Sequence, residues 1–323
     1  MTPSAIVAVA LLAAALDLAV PDTGFVAGPD GVKLYYERIG GGAKTLIVPG
    51  RLFLARDLAP LAGRYTIILY DMRNRGRSSR VEDGALLTIQ KDVEDLEAVR
   101  RHFKVEKFVP VGYSYLGFMV VLYAMAHENR VERLVQLGPV PRKFGTEYPA
   151  SLQHRDSVPV IDSAAAARID SLSKTEWAKD HQMELCEEER RAFSVRLVGD
   201  PSHAARLMDP CAMPNEWPAS LERHFEFHFG AVQKLDVPRE AVAQVRAPVL
   251  TIHGTWDRNA PYAAGREWAM TLPNARLLTV EGAAHQVTAD APDIVIPAIE
   301  TFVSGKWPAN AEQVKALERS AMR

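Results

Sequence analysis

Residues 111–117 read V-G-Y-S-Y-L-G and lie at the end of the apolar run K-F-V-P-V. The segment resembles the G-x-S-x-G signature of a nucleophilic serine, except that Leu116 stands where the second glycine is expected and Gly117 comes one residue later. A serine hydroxyl becomes an effective nucleophile only when a neighbouring base accepts its proton. Because a match this short recurs by chance, the function of Ser114 depends on whether the rest of the chain supplies that base.

A nucleophilic serine needs a histidine base and a carboxylate that orients the base. The segment T-I-H-G-T-W-D places Asp257 just after a predicted strand, and V-E-G-A-A-H places His285 just after another. His253 is an alternative base, but it stands inside a strand-end turn, where packing or capping is the expected role. Serine, aspartate and histidine in this order, each after its own strand, match a triad on a parallel sheet. We therefore predict Ser114, Asp257 and His285 as nucleophile, orienting acid and base.

These side chains need a sheet whose strand ends meet at one edge. Continuous apolar runs rich in β-branched residues predict buried strands, and apolar residues spaced three to four apart predict helices. The predicted strands are a hairpin over 24–39 and runs at 45–49, 65–70, 107–111, 131–137, 247–254 and 275–280, and the predicted helices lie at 88–103, 116–127, 261–272 and 292–304. This alternation implies an α/β fold with a mostly parallel, eight-stranded sheet and helices on both faces.

The alternation of strands and helices stops between residues 141 and 238. This stretch carries helical patterns, clustered charges and scattered prolines, without a convincing buried strand. We predict a helical cap at 141–238, inserted into a core formed by 23–140 and 239–305. Residues 306–323 form a polar tail to which no chemistry is assigned.

The overall composition excludes several classes of function. The chain has 323 residues, of which 48% are hydrophobic and 24% charged, as is ordinary for globular proteins. A net charge of −2 gives no basic field, so no nucleic-acid partner is expected. The sequence has neither a G-x-x-x-x-G-K-[ST] phosphate loop nor an H-E-x-x-H motif, and its two cysteines lack metal-ligand spacing. We expect no cofactor and no metal, and nothing indicates an oligomeric state.

An apolar run at residues 5–16 lies near the N-terminus. It is too short to cross a bilayer comfortably, so no stable membrane span is expected. Its length suits the centre of a secretory signal followed by small residues, although no Lys or Arg precedes it. Residues 1–22 are thus a signal peptide or a packed N-terminal helix, and the first alternative favours a periplasmic or secreted protein over a cytoplasmic one. Cys186 and Cys211 would form a disulfide after export and stay thiols in the cytosol.

Further segments make the chain resemble an α/β-hydrolase with a helical cap over roughly residues 24–305. Y-D-M-R-N-R-G-R-S-S resembles the D-x-R-G-x-G-x-S loop of that family, which implies that Arg73 and Arg75 form structural ion pairs. L-G-P-V at 137–140 stands where the family inserts its cap. Within the family, G-Y-S-Y-L-G, C-A-M-P-N-E-W-P and F-V-S-G-K-W-P make the chain most similar to the proline-iminopeptidase-like (prolyl aminopeptidase) branch.

The resemblance implies an oxyanion hole formed by two backbone N–H groups. Family members usually have His-Gly at the end of the third strand, whereas this chain has P-G-R-L-F there. Tyr115, directly after the nucleophile, is expected to supply one N–H group, and Arg51 or Leu52 the other.

The same resemblance implies acyl transfer to water on a small-molecule or short-peptide substrate, and it predicts a proline-iminopeptidase-like peptidase as the first candidate function. Aminopeptidases of the resembled branch hold the free α-amine with cap carboxylates. Glu216 is the first candidate for that role, with Trp217 beside it in an apolar pocket; the other candidates are Glu184, Glu187 and Glu188. An esterase or lactonase acting on small apolar esters fits the same residues. A catalytically silent binding protein with this fold is the alternative from another class.

Overall fold

The computed structural model describes residues 21–153 and 163–317. Eight strands form one sheet, with bounds β1 (Asp22–Ala27), β2 (Lys33–Ile39), β3 (Thr45–Pro49), β4 (Thr66–Tyr70), β5 (Val109–Tyr113), β6 (Leu134–Leu137), β7 (Val249–Gly254) and β8 (Ala275–Val280). Each run that the sequence predicts as a strand is present, with ends that differ by a few residues. The central strands are buried along their whole length, as continuous apolar runs require.

The strand order in the sheet is β1-β2-β4-β3-β5-β6-β7-β8. Strand β2 is antiparallel to both of its neighbours, and the other neighbouring strands are parallel. The carboxyl ends of β3 and β5 to β8 therefore meet at one edge, where parallel α/β sheets carry their ligand sites. The predicted eight-stranded, mostly parallel α/β fold is confirmed.

Helices cover both faces of this sheet. Their bounds are α1 (Arg51–Leu58), α2 (Ile89–His102), α3 (Tyr115–Ala126), α4 (Ser163–Ser173), α5 (Glu176–Asp180), α6 (Gln182–Phe193), α7 (Pro218–Arg223), α8 (Gly230–Val232), α9 (Arg239–Val242), α10 (Tyr262–Thr271), α11 (Val287–Asp290) and α12 (Pro292–Val303). Apolar residues of α2, α3 and α10 form the core on one face, and those of α1, α11 and α12 form the core on the other. The amphipathic α2 illustrates the cause, because Val93, Leu96 and Val99 form the buried stripe that its sequence predicts.

Short 3₁₀ helices and one π-helix connect these elements. The 3₁₀ helices are Ala59–Gly63, Gly84–Leu86, Glu128–Arg130, Ala150–Leu152, Ser194–Leu197, Pro201–Arg206 and Pro214–Glu216, and the π-helix is His224–Phe229. In the described part of 141–238 the structure contains helices and an isolated bridge between Lys143 and Asp236, but no strand. The helical character of the insertion thus agrees with the sequence, while its domain boundaries stay a prediction.

The two ends of the chain differ in what the structure describes. The predicted signal peptide or N-terminal helix lies almost wholly outside the described residues. Near the C-terminus, Glu312 pairs with Leu277 at the edge of β8, and the guanidinium of Arg266 contacts Glu312 and the carbonyl groups of Ala316 and Leu317. The described part of the polar tail is therefore packed on the core. Within the described residues, no helix is both long and apolar enough to cross a membrane.

Candidate active site

Ser114 occupies the turn between β5 and α3. Its backbone has a φ of 56° and a ψ of −125°, a strained conformation for a residue other than glycine. This sharp strand–turn–helix connection is the local form that a nucleophile elbow requires. Because β5 is buried throughout and Ser114 is half-buried, the turn lifts the hydroxyl group to the carboxyl edge of the sheet.

The unusual position of the second glycine has a packing explanation. A Cβ on Gly112 would lie 2.1 Å from the carbonyl oxygen of Leu116, so strand and helix can cross here only at a glycine. A Cβ on Gly117 would lie 3.2 Å from Pro139. The side chain of Leu116 reaches Gly50, where a Cβ would lie 2.6 Å from its Cδ1. Leucine therefore fits because Gly50, on the neighbouring loop, leaves room for it.

His285 lies between Ser114 and Asp257. Its Nε2 is 2.9 Å from Oγ of Ser114, and its Nδ1 is 2.7 Å from Oδ2 of Asp257. An ionised carboxylate can only accept, so Nδ1 carries a hydrogen, and Nε2 of the neutral ring accepts from the serine hydroxyl. The structure thus brings together the three residues that the sequence selects, in a geometry that can activate a hydroxyl nucleophile.

The carboxylate of Asp257 is buried and hydrogen-bonded on both oxygens. Its Oδ1 accepts the backbone N–H groups of Asn259 and Ala260, each at 2.8 Å. Its Oδ2 accepts a second hydrogen bond, from Nε2 of His253 at 3.2 Å. Burial raises the pKa of Asp257, but the neighbouring His285 and His253 lower it by more, to about 2. Asp257 is therefore ionised at any pH at which a histidine can act as a base.

Gly138 is a residue of the site that sequence reasoning missed. It follows β6, has a φ of 51°, and a Cβ there would lie 3.2 Å from Oδ2 of Asp257 and 3.4 Å from Nδ1 of His285. Glycine is needed both for the backbone conformation and for the approach to this hydrogen bond. The available signal was a glycine directly after a strand in L-G-P-V.

The candidate oxyanion amides lie at two neighbouring helix starts. Helix α1 follows β3 and α3 follows β5, and these strands are parallel neighbours, so both helices begin at the same sheet edge. First-turn N–H groups have no acceptor within their own helix and favour negative charge. The first turns contain Arg51 and Leu52 in α1 and Tyr115 in α3. The guanidinium of Arg51 is itself buried against Asp71 at 3.1 Å, so its backbone rather than its side chain is the candidate.

The arginines of the loop after β4 form ion pairs, as predicted. Arg73 is buried between Asp95 at 2.7 Å and Asp30 at 2.9 Å. Arg75 binds both carboxylate oxygens of Glu216, with a shortest contact of 2.7 Å.

This pairing changes the expected role of Glu216. The carboxylate is buried, and it also accepts the N–H group of Gly76 at 2.7 Å. A carboxylate already neutralised by a bidentate arginine has little attraction left for a substrate ammonium group. The pairing thus fixes the insertion to the core. Glu216 also lines the cavity described below, so its role as an amine ligand stays a prediction.

An apolar cavity of about 390 Å³ lies between the core and the helical insertion, and its lining residues do not include Ser114, Asp257 or His285 themselves. Its apolar lining includes Leu52, Phe53, Phe193, Leu197, Leu207 and Phe225. Asn259 and Gln286 also line it, and they are close neighbours in sequence of Asp257 and His285. Trp217, predicted to line the pocket, is not among its wall residues and donates from Nε1 to the carbonyl of Cys211 instead.

The acidic run of α6 contributes one carboxylate to this cavity. Glu189 lines it, whereas the predicted Glu184, Glu187 and Glu188 do not. Burial raises the pKa of Glu189. Its position has a sequence signal that was not used, because it is three residues after the buried Cys186 and so lies on the same face of the helix.

Comparison with known proteins places this architecture in a family. A family model for the alpha/beta hydrolase fold matches residues 40–292. The chain is 23% identical over 252 residues to the proline iminopeptidase PfmaB of Pestalotiopsis fici, covering 77% of this chain and 85% of that protein. It is 26% identical over 292 residues to the putative carbamate hydrolase RutD of Caulobacter sp., covering 84% and 96%. Among solved structures, the esterase RhEst1 from Rhodococcus sp. ECU1013 matches with a TM-score of 0.66 and 22% identity, covering 88% and 98%.

Because the family model spans well over half of its length, the chain belongs to the α/β-hydrolase family. The resemblance drawn from its motifs is confirmed, and with it the prediction that the protein is an enzyme with hydrolase activity. The similar proteins carry names of peptidases, esterases and a carbamate hydrolase, at identities too low to transfer a substrate.

Proposed function

We propose that this protein is a serine hydrolase that cleaves small carboxylic esters with apolar substituents. The observation that carries the proposal is the pair of hydrogen bonds that link Ser114, His285 and Asp257. An apolar cavity whose lining includes Leu52, Asn259 and Gln286, close neighbours in sequence of the site residues, supports it. An aliphatic or aromatic group of the substrate that packs against the cavity walls is removed from water. This burial stabilises binding in proportion to the apolar area buried.

The reaction follows from the roles of these groups. Oγ of Ser114 attacks the carbonyl carbon while its proton passes to Nε2 of His285, and ionised Asp257 stabilises the resulting imidazolium. The N–H groups of Tyr115 and of Arg51 or Leu52 receive the oxyanion. Collapse of the tetrahedral intermediate breaks the ester C–O bond, and His285 returns the proton to the departing alcohol. Water then attacks the acyl-enzyme with His285 as base, and this second cycle releases the acid and regenerates Ser114.

A second candidate, an aminopeptidase that removes N-terminal residues, rests on Glu189. This half-buried carboxylate lines the cavity, and burial raises its pKa. A substrate ammonium group would satisfy it. Glu216 lines the same cavity, but its carboxylate is already paired with Arg75, which leaves Glu189 as the better amine ligand.

Labelling with a fluorophosphonate tests the proposal, because only an activated serine reacts with the probe. We expect the protein to be labelled at Ser114, and Ser114→Ala to lose labelling and at least about 10⁴-fold in kcat on a reactive ester. Labelling that persists in this variant would contradict the assignment of the nucleophile. A folded wild-type protein that is not labelled would point to the silent binding protein.

A substrate panel with p-nitrophenyl esters and amino-acid arylamides separates the two candidates. We expect turnover of the esters alone, with Glu189→Gln changing KM for neutral esters by less than about threefold. Turnover of arylamides that Glu189→Gln abolishes would instead establish the aminopeptidase. Glu188→Gln is the matched control, since Glu188 is on the same helix but pairs with Arg168 and Arg191 outside the cavity.

A further inference from the structure

Three polar side chains meet next to the nucleophile; Asp92 and His228 are buried, and Tyr115 is half-buried. The hydroxyl of Tyr115 donates to Oδ2 of Asp92 at 2.6 Å, and Nε2 of His228 is 2.6 Å from the same oxygen. Tyr115 directly follows Ser114, Asp92 belongs to α2, and His228 belongs to the π-helix of the insertion. The mechanism above uses none of these side-chain contacts.

The direction of both hydrogen bonds follows from the chemistry of the partners. Burial raises the pKa of Tyr115, and the nearby Asp92 raises it further, so the phenol keeps its proton and donates. A carboxylate oxygen can only accept, so Nε2 of His228 carries a hydrogen. Oδ1 of Asp92 has no partner within the described residues. The buried carboxylate therefore depends on these two side-chain donors, and losing either leaves it poorly solvated.

The two donors also contact each other. The rings of Tyr115 and His228 pack edge to face with centroids 4.7 Å apart. His228 is stacked on His224, one turn earlier in the π-helix, with centroids 4.5 Å apart. A π-helical turn is uncommon and often marks a functional segment. Here it places two histidines against the core and leaves only His228 on Asp92.

From this geometry, and resting on the proposed function, we infer that His228 is a positioning residue for catalysis. Through the shared oxygen of Asp92, it fixes the side chain of Tyr115 and so the backbone N–H group that receives the oxyanion. One carboxylate oxygen of Asp92 thus links a contact of the helical insertion to the geometry of the oxyanion hole.

His228 can affect catalysis in this way because oxyanion stabilisation is sensitive to the position of the N–H donors. An N–H group stabilises the intermediate only when it is held at hydrogen-bond distance from the developing charge. Ser114, with its positive φ, gives the turn little intrinsic preference for its conformation, so tertiary contacts must hold it. The Tyr115 phenol on Asp92 is such a contact, and His228 fixes Asp92 from the other side.

The test compares His228→Phe, Tyr115→Phe and the double variant with the matched control His224→Phe. We expect His228→Phe and Tyr115→Phe each to lower kcat and the rate constant of fluorophosphonate labelling by about tenfold, below the 10²–10³-fold loss of a complete oxyanion donor. KM should change by less than about twofold. The double variant should be no slower than the slower single variant, because both remove the same linkage. His228→Gln, which keeps an N–H donor, should recover most of the rate.

A structural role alone predicts a different pattern. Equal slowing by His228→Phe and His224→Phe, or additive effects in the double variant, would overturn the inference. If His228→Phe does not fold, Tyr115→Phe decides the question, since unchanged kcat and labelling in that variant also overturn it. Failure of the wild-type protein to be labelled would instead refute the proposed function on which the inference rests, so the two failures are distinguishable.

Discussion

At the scale of single residues, Asp257 is the most constrained group of the site. Its two oxygens accept four hydrogen bonds, two from backbone N–H groups and two from histidines. His253 also contacts the carbonyl of Ala260 at 2.9 Å, so its Nε2 carries a hydrogen and donates. The histidine that the sequence leaves as the alternative base therefore supports the orienting carboxylate.

This arrangement predicts how stability depends on pH. The pKa of Asp257 in the folded protein is about 2, below its ordinary value of 3.8. A lowered pKa means that the ionised group stabilises the fold above the ordinary value and that this contribution is lost as the pH falls towards 2. We expect Asp257→Asn to lower Tm most at pH 5 and above, with a difference from wild type that shrinks between about pH 4 and pH 2. Thermal melts across this range check it.

Ser114→Ala is the control for that experiment, because the proposed mechanism expects it to remove activity while the carboxylate of Asp257 stays intact. Its Tm should follow the wild-type pH dependence. A difference between Asp257→Asn and wild type that is constant over the whole range would show that the ionisation of Asp257 does not stabilise the fold.

At the scale of elements, the site depends on how closely β5 and α3 cross. The carbonyl oxygen of Leu116 approaches the α-carbon of Gly112 so closely that no side chain fits between them. Ser114, Asp257 and His285 meet at one sheet edge because β5, β6, β7 and β8 are consecutive parallel neighbours. A change in the distance between β5 and α3 where they cross would therefore move Ser114 relative to His285, although neither residue is altered.

Gly112→Ala tests this dependence. Its Cβ would lie 2.1 Å from a backbone oxygen, so strand and helix must separate. Overpacking of this kind costs about 1–3 kcal/mol of stability, and the displaced serine should lose most of its labelling by a fluorophosphonate. Gly63→Ala is the matched control, since a Cβ there meets no atom of the described residues within 4 Å. Retention of wild-type labelling and Tm by Gly112→Ala would contradict the close crossing.

At the scale of the whole molecule, several links of different chemistry hold the helical insertion in place. Arg75–Glu216 and Asp92–His228 join it to the core, and the disulfide between Cys186 and Cys211 ties two of its own segments. The sequence left open whether these cysteines are paired, and the structure contains the bond. Cys186 also lines the cavity, so the disulfide supports one of its walls.

Removing the disulfide should therefore lower the stability of the helical insertion. The bond closes a loop with a sequence separation of 25, for which loop entropy corresponds to about 3 kcal/mol. We expect the double variant Cys186→Ser, Cys211→Ser to unfold at lower denaturant concentration and to hydrolyse ester substrates with a higher KM. A reductant should bring the wild type to the same stability and leave the variant unchanged. A wild-type protein indifferent to reductant would contradict this prediction.

The sequence by itself determined the order of strands and helices and the three residues that meet at the sheet edge. These features have local signals, since a buried strand is a continuous apolar run and a strand end is followed by small or polar residues. Parallel strands then force residues after β5, β7 and β8 to one edge, whatever the details of packing. Ser114, Asp257 and His285 could be selected for that reason.

Only the tertiary structure decided which polar side chains already have an ion-pair or hydrogen-bond partner within the protein. Glu216 meets Arg75 across 141 residues of sequence, and His228 meets Asp92 across 136. No local pattern reports such pairs, because the partners approach only when the insertion packs on the core. Burial then fixes the outcome, since a carboxylate removed from water must be paired. Glu216, which the sequence predicts as a substrate ligand, is thus paired with an arginine of the core. Glu189, which belongs to a charged run of the sequence, lines the same cavity.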